Sequence, residues 1–174
     1  KTGMKFFADT TVNVELDAEG LADVAEMVAD AASGIFGVEP RVAMLGYGNF
    51  GSTRTRSSRK VAAAVDRLIE RRPDLEVEGE MQANVAVNYE LQKRNFAFSR
   101  LTGPANVLIF PNLESGNVAY KLMRELGDVP AVGPLLLGMA KPVTVLERDC
   151  DVDNIVKMTV LTVVQAQLLE RAER

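Results

Sequence analysis

The stretch from Asn106 to Phe110 constrains this chain more than any other. It is apolar almost without a break and shows no alternation. A strand of that kind is buried on both faces, which is the habit of a central strand in a parallel sheet. Its surroundings fit. Lys5 to Val14 reads as extended, and Glu15 to Phe36 spaces Leu16, Leu21, Val24, Ala25, Met27 and Val28 as a helix does. Arg41 to Leu45 reads as a short buried strand, Ser57 to Arg72 as a helix stopped by Pro73, and Leu75 to Met81 as a half-exposed strand alternating apolar and acidic residues. Ser115 to Leu126 is helical up to Gly127. Val132 to Gly138 and Pro142 to Leu146 read as further strands, and Asp151 to Arg174 as a long helix with an acidic start. Tyr89 to Pro104 is the least regular part and reads as a surface excursion. Strands alternating with helices imply an α/β fold, a mostly parallel sheet with helices on both faces in three α/β/α layers.

A length of 174 residues and a hydrophobic share of 47% suffice for one core. No apolar run approaches the roughly 18 residues a membrane span needs. The first residues carry no signal-peptide pattern. The expected setting is cytoplasmic, without a membrane partner. A net charge of −4 with interspersed signs argues against a nucleic-acid surface. Cys150 stands alone, so no disulfide can form within the chain. Histidine is absent, which excludes Ser-His-Asp and Cys-His pairs and histidine-based zinc sites; no metal site is expected. Proton transfer near neutral pH would fall to carboxylates or lysines.

Gly46-Tyr47-Gly48-Asn49-Phe50-Gly51 spells GxGxxG directly after a strand. This is the fingerprint of a dinucleotide-binding oxidoreductase module, with Arg54, Arg56 and Arg59 available for a phosphate and Glu78 or Glu80 for a ribose. Against it, the polar run Ser52 to Arg56 intervenes before a helix can begin, whereas a pyrophosphate needs the helix N-terminus at the glycines.

A set of segments in order carries a resemblance. They are Phe7-Ala8-Asp9-Thr10-Thr11-Val12-Asn13, Arg41-Val42-Ala43-Met44-Leu45, Glu78 to Asn84, Ala105 to Asn112, Gly116 to Lys121, Gly133-Pro134 and Gly138 to Val143. Together they resemble the phosphate acetyltransferase/butyryltransferase family over nearly the whole chain. Phe98 to Gly103 and Asn112-Leu113-Glu114 most resemble the C-terminal part of large bacterial NADP-dependent malic enzymes. The resemblance implies an isocitrate-dehydrogenase-like second subdomain at residues 1–146. It also implies a C-terminal helix, 147–174, that in the family returns to a first subdomain. The function implied is an acetyl-CoA-sensing, oligomerising regulatory module. NADP, a divalent metal and malate decarboxylation would belong to a separate N-terminal half, leaving acetyl-CoA as effector and no cofactor in this chain. In that family the glycine loop reads with serines at Gly46 and Gly48.

The resemblance also assigns site residues. Arg148 stands where an arginine binds phosphate, Glu147 where the transferases carry serine, and Asn154 where they carry an aspartate that takes the thiol proton. An amide cannot act as a carboxylate base. A carboxylate at Glu147 facing phosphate at about 4 Å is repelled by roughly 4 kcal/mol at an effective dielectric near 20. Pairing of Glu147 with Arg148 would instead tie up the phosphate-binding arginine. A one-residue shift would make Asp153 the base, which keeps an active phosphate acetyl- or butyryltransferase open; Asp149 and Asp151 lie nearby. These acids also suit plain capping of a helix start. Lys141 and Arg124 are further candidates for holding a CoA ester or phosphate. Arg124 sits one position before the family's arginine, which is Glu125 here.

Overall fold

The computed structural model describes residues 3–127, 129–148 and 150–172. Asp149 and Arg174, named in the sequence reading, lie outside the described residues. The chain divides into two compact units, residues 1–120 and 121–174. The sequence reading places its boundary later, after residue 146.

The first unit is built on four parallel strands, β1 (Phe6–Ala8), β2 (Arg41–Leu45), β3 (Glu76–Met81) and β4 (Val107–Ile109), in the order β1-β4-β2-β3. β4 lies between two neighbours, pairing Phe6 with Val107 on one side and Val42 with Val107 on the other. Its three residues are at most 4% exposed, as a continuous apolar run predicts. Asn106, which leads that run, is also buried. It accepts from Arg41 N–H at 2.7 Å and donates Nδ2 to the Glu39 carbonyl at 2.7 Å, so its polarity is satisfied where β2 begins.

Helices cover both faces. α1 (Ala18–Gly34) starts at Asp17, whose side chain accepts from Gly20 N–H, and it buries Leu21, Ala22, Ala25, Ala29 and Ala32. α2 (Arg56–Arg71) opens with a capping box in which Thr55 and Ser58 accept from each other's N–H. It packs against α1 and the sheet and buries Val61, Ala64, Val65 and Leu68. Arg71 and Arg72 at its end reach Asp23 at 2.7 Å and Asp30 at 2.9 Å on α1. On the other face Ala43, Leu45, Leu108 and Phe110 cluster with Val85 and Ala86 of α3 (Ala83–Val87) and with Leu101.

Three expectations are corrected. β3 is buried despite its acids: Glu78 is 9% exposed and Glu80 1%. Each carboxylate accepts from a distant backbone N–H, Glu76 from Thr102, Glu78 from Arg100 at 3.0 Å and Glu80 from Gly51 at 2.8 Å. Charged acceptors make strong hydrogen bonds, and these offset the cost of burial. The Tyr89–Pro104 excursion contains a helix, α4 (Tyr89–Asn95), capped by Asn88; its Gln92 is buried, and Leu101 joins the core. The two late strands are two residues each and do not extend the parallel sheet. β5 (Leu135–Leu136) and β6 (Val143–Thr144) form an antiparallel ribbon of their own. Six residues, 137–142, join them, which suits an antiparallel pair and is too short for the crossover of a dozen or more residues that a parallel pair needs.

α5 (Leu113–Gly127) carries the chain out of the first unit, and α6 (Val152–Ala172) ends the second. Among the described residues no helix is long and apolar enough to cross a membrane.

Candidate functional site

Most of the sequence-predicted site residues sit in the second unit, where α5 ends, β6 ends and α6 begins. Asp151 starts α6: its side chain accepts from Asn154 N–H at 2.7 Å and its carbonyl from Ile155 N–H at 3.0 Å. This is N-capping, with a carboxylate at the positive end of the helix dipole. Asp153 points instead to Lys157 one turn on and forms an ion pair with it. That pair holds the Lys157 ammonium protonated above its ordinary range, through the hydrogen bond first and the charge second. Asn154 is half-buried, and its Oδ1 is buried without a hydrogen-bond partner among the described residues.

Glu147 is paired, and its partner is not Arg148. Arg124 Nη1 lies 2.7 Å from Glu147 Oε2 and Lys121 Nζ 3.8 Å from Oε1. Arg148 is exposed, as is Lys141. An open cleft of about 370 Å³ runs between the end of α5 and the start of α6, lined by Arg124, Glu125, Asp151, Asp153, Asn154, Lys157 and the 129–131 turn. The fold therefore brings Arg124, Asp153 and Asn154 to one cleft, with Glu147 bonded to its Arg124 wall; Arg148 and Lys141 are not part of its lining. Lys121 was missed as a partner of Glu147. Its signal is the three-residue spacing from Arg124, which puts both on one helix face.

The first unit has its own polar features at the C-terminal ends of the parallel strands. Asp9, just after β1, accepts from the N–H groups of Thr11, Val12 and Asn13 and from Asn13 Nδ2, at 2.7–3.0 Å. Burial pushes its carboxyl up, but these four donors outweigh that and hold it below the usual carboxylate range. The composition Asp-Thr-Thr-Val-Asn is a turn signal of this type.

The glycine loop 46–51 is tied down to the end of β3. Gly46 N–H donates to the Met81 carbonyl, Phe50 N–H to the Glu80 carbonyl and Gly51 N–H to the Glu80 carboxylate, while Gln82 Nε2 holds the Tyr47 carbonyl. α2 starts five residues beyond Gly51, at Arg56. A buried carboxylate beneath the loop and a distant helix start are both unsuited to a pyrophosphate. Glu80, the candidate ribose acid, is already engaged there.

Comparison with known proteins follows the same frame. The model of the phosphate acetyl/butaryl transferase family matches residues 1–163. The chain belongs to this family. A phosphate acetyltransferase of Clostridium acetobutylicum is 40% identical over 165 residues, covering 95% of this chain and 50% of that protein. The NADP-dependent malic enzyme of Escherichia coli is 42% identical over 167 residues, covering 95% of this chain and 22% of the enzyme. The EutD phosphotransacetylase of Staphylococcus aureus superposes with a TM-score of 0.88 at 34% identity, over 95% of this chain and 52% of that one. The chain thus spans about half the length of these two transferases and a smaller share of the malic enzyme. Both groups contain a region similar in sequence to this chain.

Proposed function

We propose that this chain is the phosphate-acetyltransferase-like part of a malic enzyme, retained to bind acetyl-CoA and regulate, and inert in acyl transfer. The observation that carries the reading is Glu147. Its carboxylate, at the position where the resemblance expects a serine hydroxyl, is held 2.7 Å from Arg124. A fixed negative charge there opposes an incoming phosphate and engages a cation that could meet it. Asn154 adds to this, since its amide has no basicity with which to form the CoA thiolate, and the thiol is the poorer nucleophile. The 42% identity with an NADP-dependent malic enzyme is compatible with that setting. In this reading acetyl-CoA binds beside Arg148, with Lys141 and Arg124 as further contacts to its phosphates, and the module self-associates.

The test is titration of the full-length parent with acetyl-CoA during malate oxidation. A saturable change in rate, weakened by Arg148→Ala, is expected; no binding and no change at saturating acetyl-CoA refutes the regulatory reading.

A second reading, a working phosphate acyltransferase, draws on the 40% identity with a phosphate acetyltransferase and on Asp153, which lines the cleft beside Asn154. Here Arg148 holds the phosphate and Asp153 takes the thiol proton. Turnover of acetyl phosphate and CoA above about 1 s⁻¹ by the complete domain, abolished by Asp153→Ala, would establish it in place of the first.

A further inference from the structure

Residues 93–100 read Lys-Arg-Asn-Phe-Ala-Phe-Ser-Arg, with no acid, in a chain whose net charge is −4. Lys93, Arg94 and Arg100 are exposed and form no ion pair among the described residues. Arg67, Arg71 and Arg72 differ, since each is paired with an acid of α1. The aromatic side chains of the segment stand together. Phe98 meets the Phe50 ring edge-on at a centroid distance of 4.9 Å, and Phe96 lies 4.9 Å from Phe50 and 6.2 Å from Phe98. Phe50 and Phe96 are half-buried against the core, but Phe98 is 67% exposed, and Tyr47 on the Phe50 loop is 58% exposed. The backbone beneath this patch is tied down. Ser99 N–H donates to the Phe96 carbonyl at 2.9 Å, closing a turn around Phe98, and Arg100 N–H donates to the buried Glu78 carboxylate at 3.0 Å. Phe50 sits at a φ of +49°, a left-handed conformation unfavourable for a residue with a side chain, and its N–H is held by the Glu80 carbonyl at 2.7 Å. A ring that could gain by turning inward is thus presented outward on a fixed loop.

We infer that this patch is a docking surface for an acidic protein segment, with Phe98 as the anchor for an apolar side chain and Lys93, Arg94 and Arg100 as the charged rim. Aromatic residues and arginine are the types that dominate interface centres. A ring already fixed in place loses little freedom on binding. Cations without partners in the chain select a partner of opposite sign. A second copy of the chain fits less well, because the acids of its α1 are already engaged by the arginines of α2. Nucleic acid fits less well too, given the net negative charge. The surface lies within the first unit and needs no CoA ester, so it stands or falls separately from the function proposed above.

The experiment is an NMR titration of the isotope-labelled chain with a short synthetic peptide that alternates Glu with Phe and Leu. A Glu-Ser peptide of equal charge and an oligothymidylate serve as comparisons. The Glu-Phe-Leu peptide should bind saturably below about 1 mM, with amide shifts confined to residues 46–50 and 93–100, and more weakly as salt rises. Phe98→Ala should weaken it about tenfold or more. Lys93→Gln with Arg100→Gln should weaken it by roughly two- to tenfold. Both variants spare the fold, because Phe98 is mostly exposed and it is the Arg100 backbone, not its side chain, that holds Glu78. An unchanged spectrum away from the patch checks this. Absence of binding, shifts centred elsewhere, equal binding of the Glu-Ser peptide or tighter binding of the oligothymidylate overturns the inference. So does a concentration-dependent mass of the chain alone that Phe98→Ala abolishes, since the occupant is then a second copy.

Discussion

The two units place their apolar residues in opposite ways. In residues 3–120 the sheet and its helices bury Val42, Met44, Leu68, Val77, Val107 and Ile109 to 1% exposure or less. In the second unit Met158 is the one hydrophobic residue that reaches this depth among the described residues, while α6 leaves Val152, Val156, Val160 and Val163 more than half exposed. Those four recur at spacings of four, four and three, a continuous stripe on one side of the helix. Burial of apolar area is worth about 25 cal/mol per Å². The first unit gains that within itself, and the second leaves much of it ungained. Closure of a core depends on having two layers to face each other, which a sheet with helices supplies and a two-residue ribbon with one long helix does not.

This contrast can be broken most severely at Gly79. Its φ of +151° suits glycine, and a Cβ there would meet the Met44 carbonyl oxygen at 2.5 Å and Met44 Cβ at 2.9 Å, within the β2–β3 pair. Gly79→Ala should cost about 3 kcal/mol or more, or prevent folding of the first unit, read by urea denaturation. Leu68→Ala should cost about 2–5 kcal/mol as a core truncation, while Val160→Ala in the second unit should stay within about 0.5 kcal/mol. Similar losses at the two positions would erase the distinction between the units.

Asp9 probes the first unit through pH. Its folded-state carboxyl titrates below its unfolded value, so its contribution is present above about pH 4 and lost as pH falls through the folded value. Asp9→Asn should therefore be less stable than wild type at pH 7, by less than the core truncation, and the gap should close in acid. A gap independent of pH would show that the carboxylate's charge is not what holds the 9–13 turn. The smallest effect on stability is expected from Val156→Lys with Val160→Lys. The melting profile should hold at low concentration, whereas any concentration-dependent mass in sedimentation should fall, because the apolar stripe is then no longer available for self-association.

Local patterns were legible where one element's own chemistry decides the outcome. β2 has the bounds read from its apolar run, and α1 and α2 begin within a few residues of where their periodicity starts, next to Asp17 and Thr55, which supply the caps. β3 was misread because alternating acids look the same whether they face water or a distant amide. Only the positions of Gly51, Arg100 and Thr102 reveal that they face amides. The late strands were misread for a related reason: apolar residues flanked by glycine and proline mark extended chain, but not which strand will pair with it. In the site, Asp151 behaves as the helix-start pattern suggests, while the partner of Glu147 was not among the sequence-derived options.

By itself the sequence determined the strand–helix alternation, the central apolar strand, the absence of histidine chemistry and the presence of Glu147 and Asn154 at positions of interest. These are properties of residue type and spacing along the chain. Tertiary structure alone decided that Glu147 is held by Arg124, 23 residues away, rather than by its neighbour Arg148. It also decided that the carboxylates of β3 are buried anchors. The reason is physical: a charge takes the partner that the fold brings within a few ångströms, and distance along the chain does not set that separation.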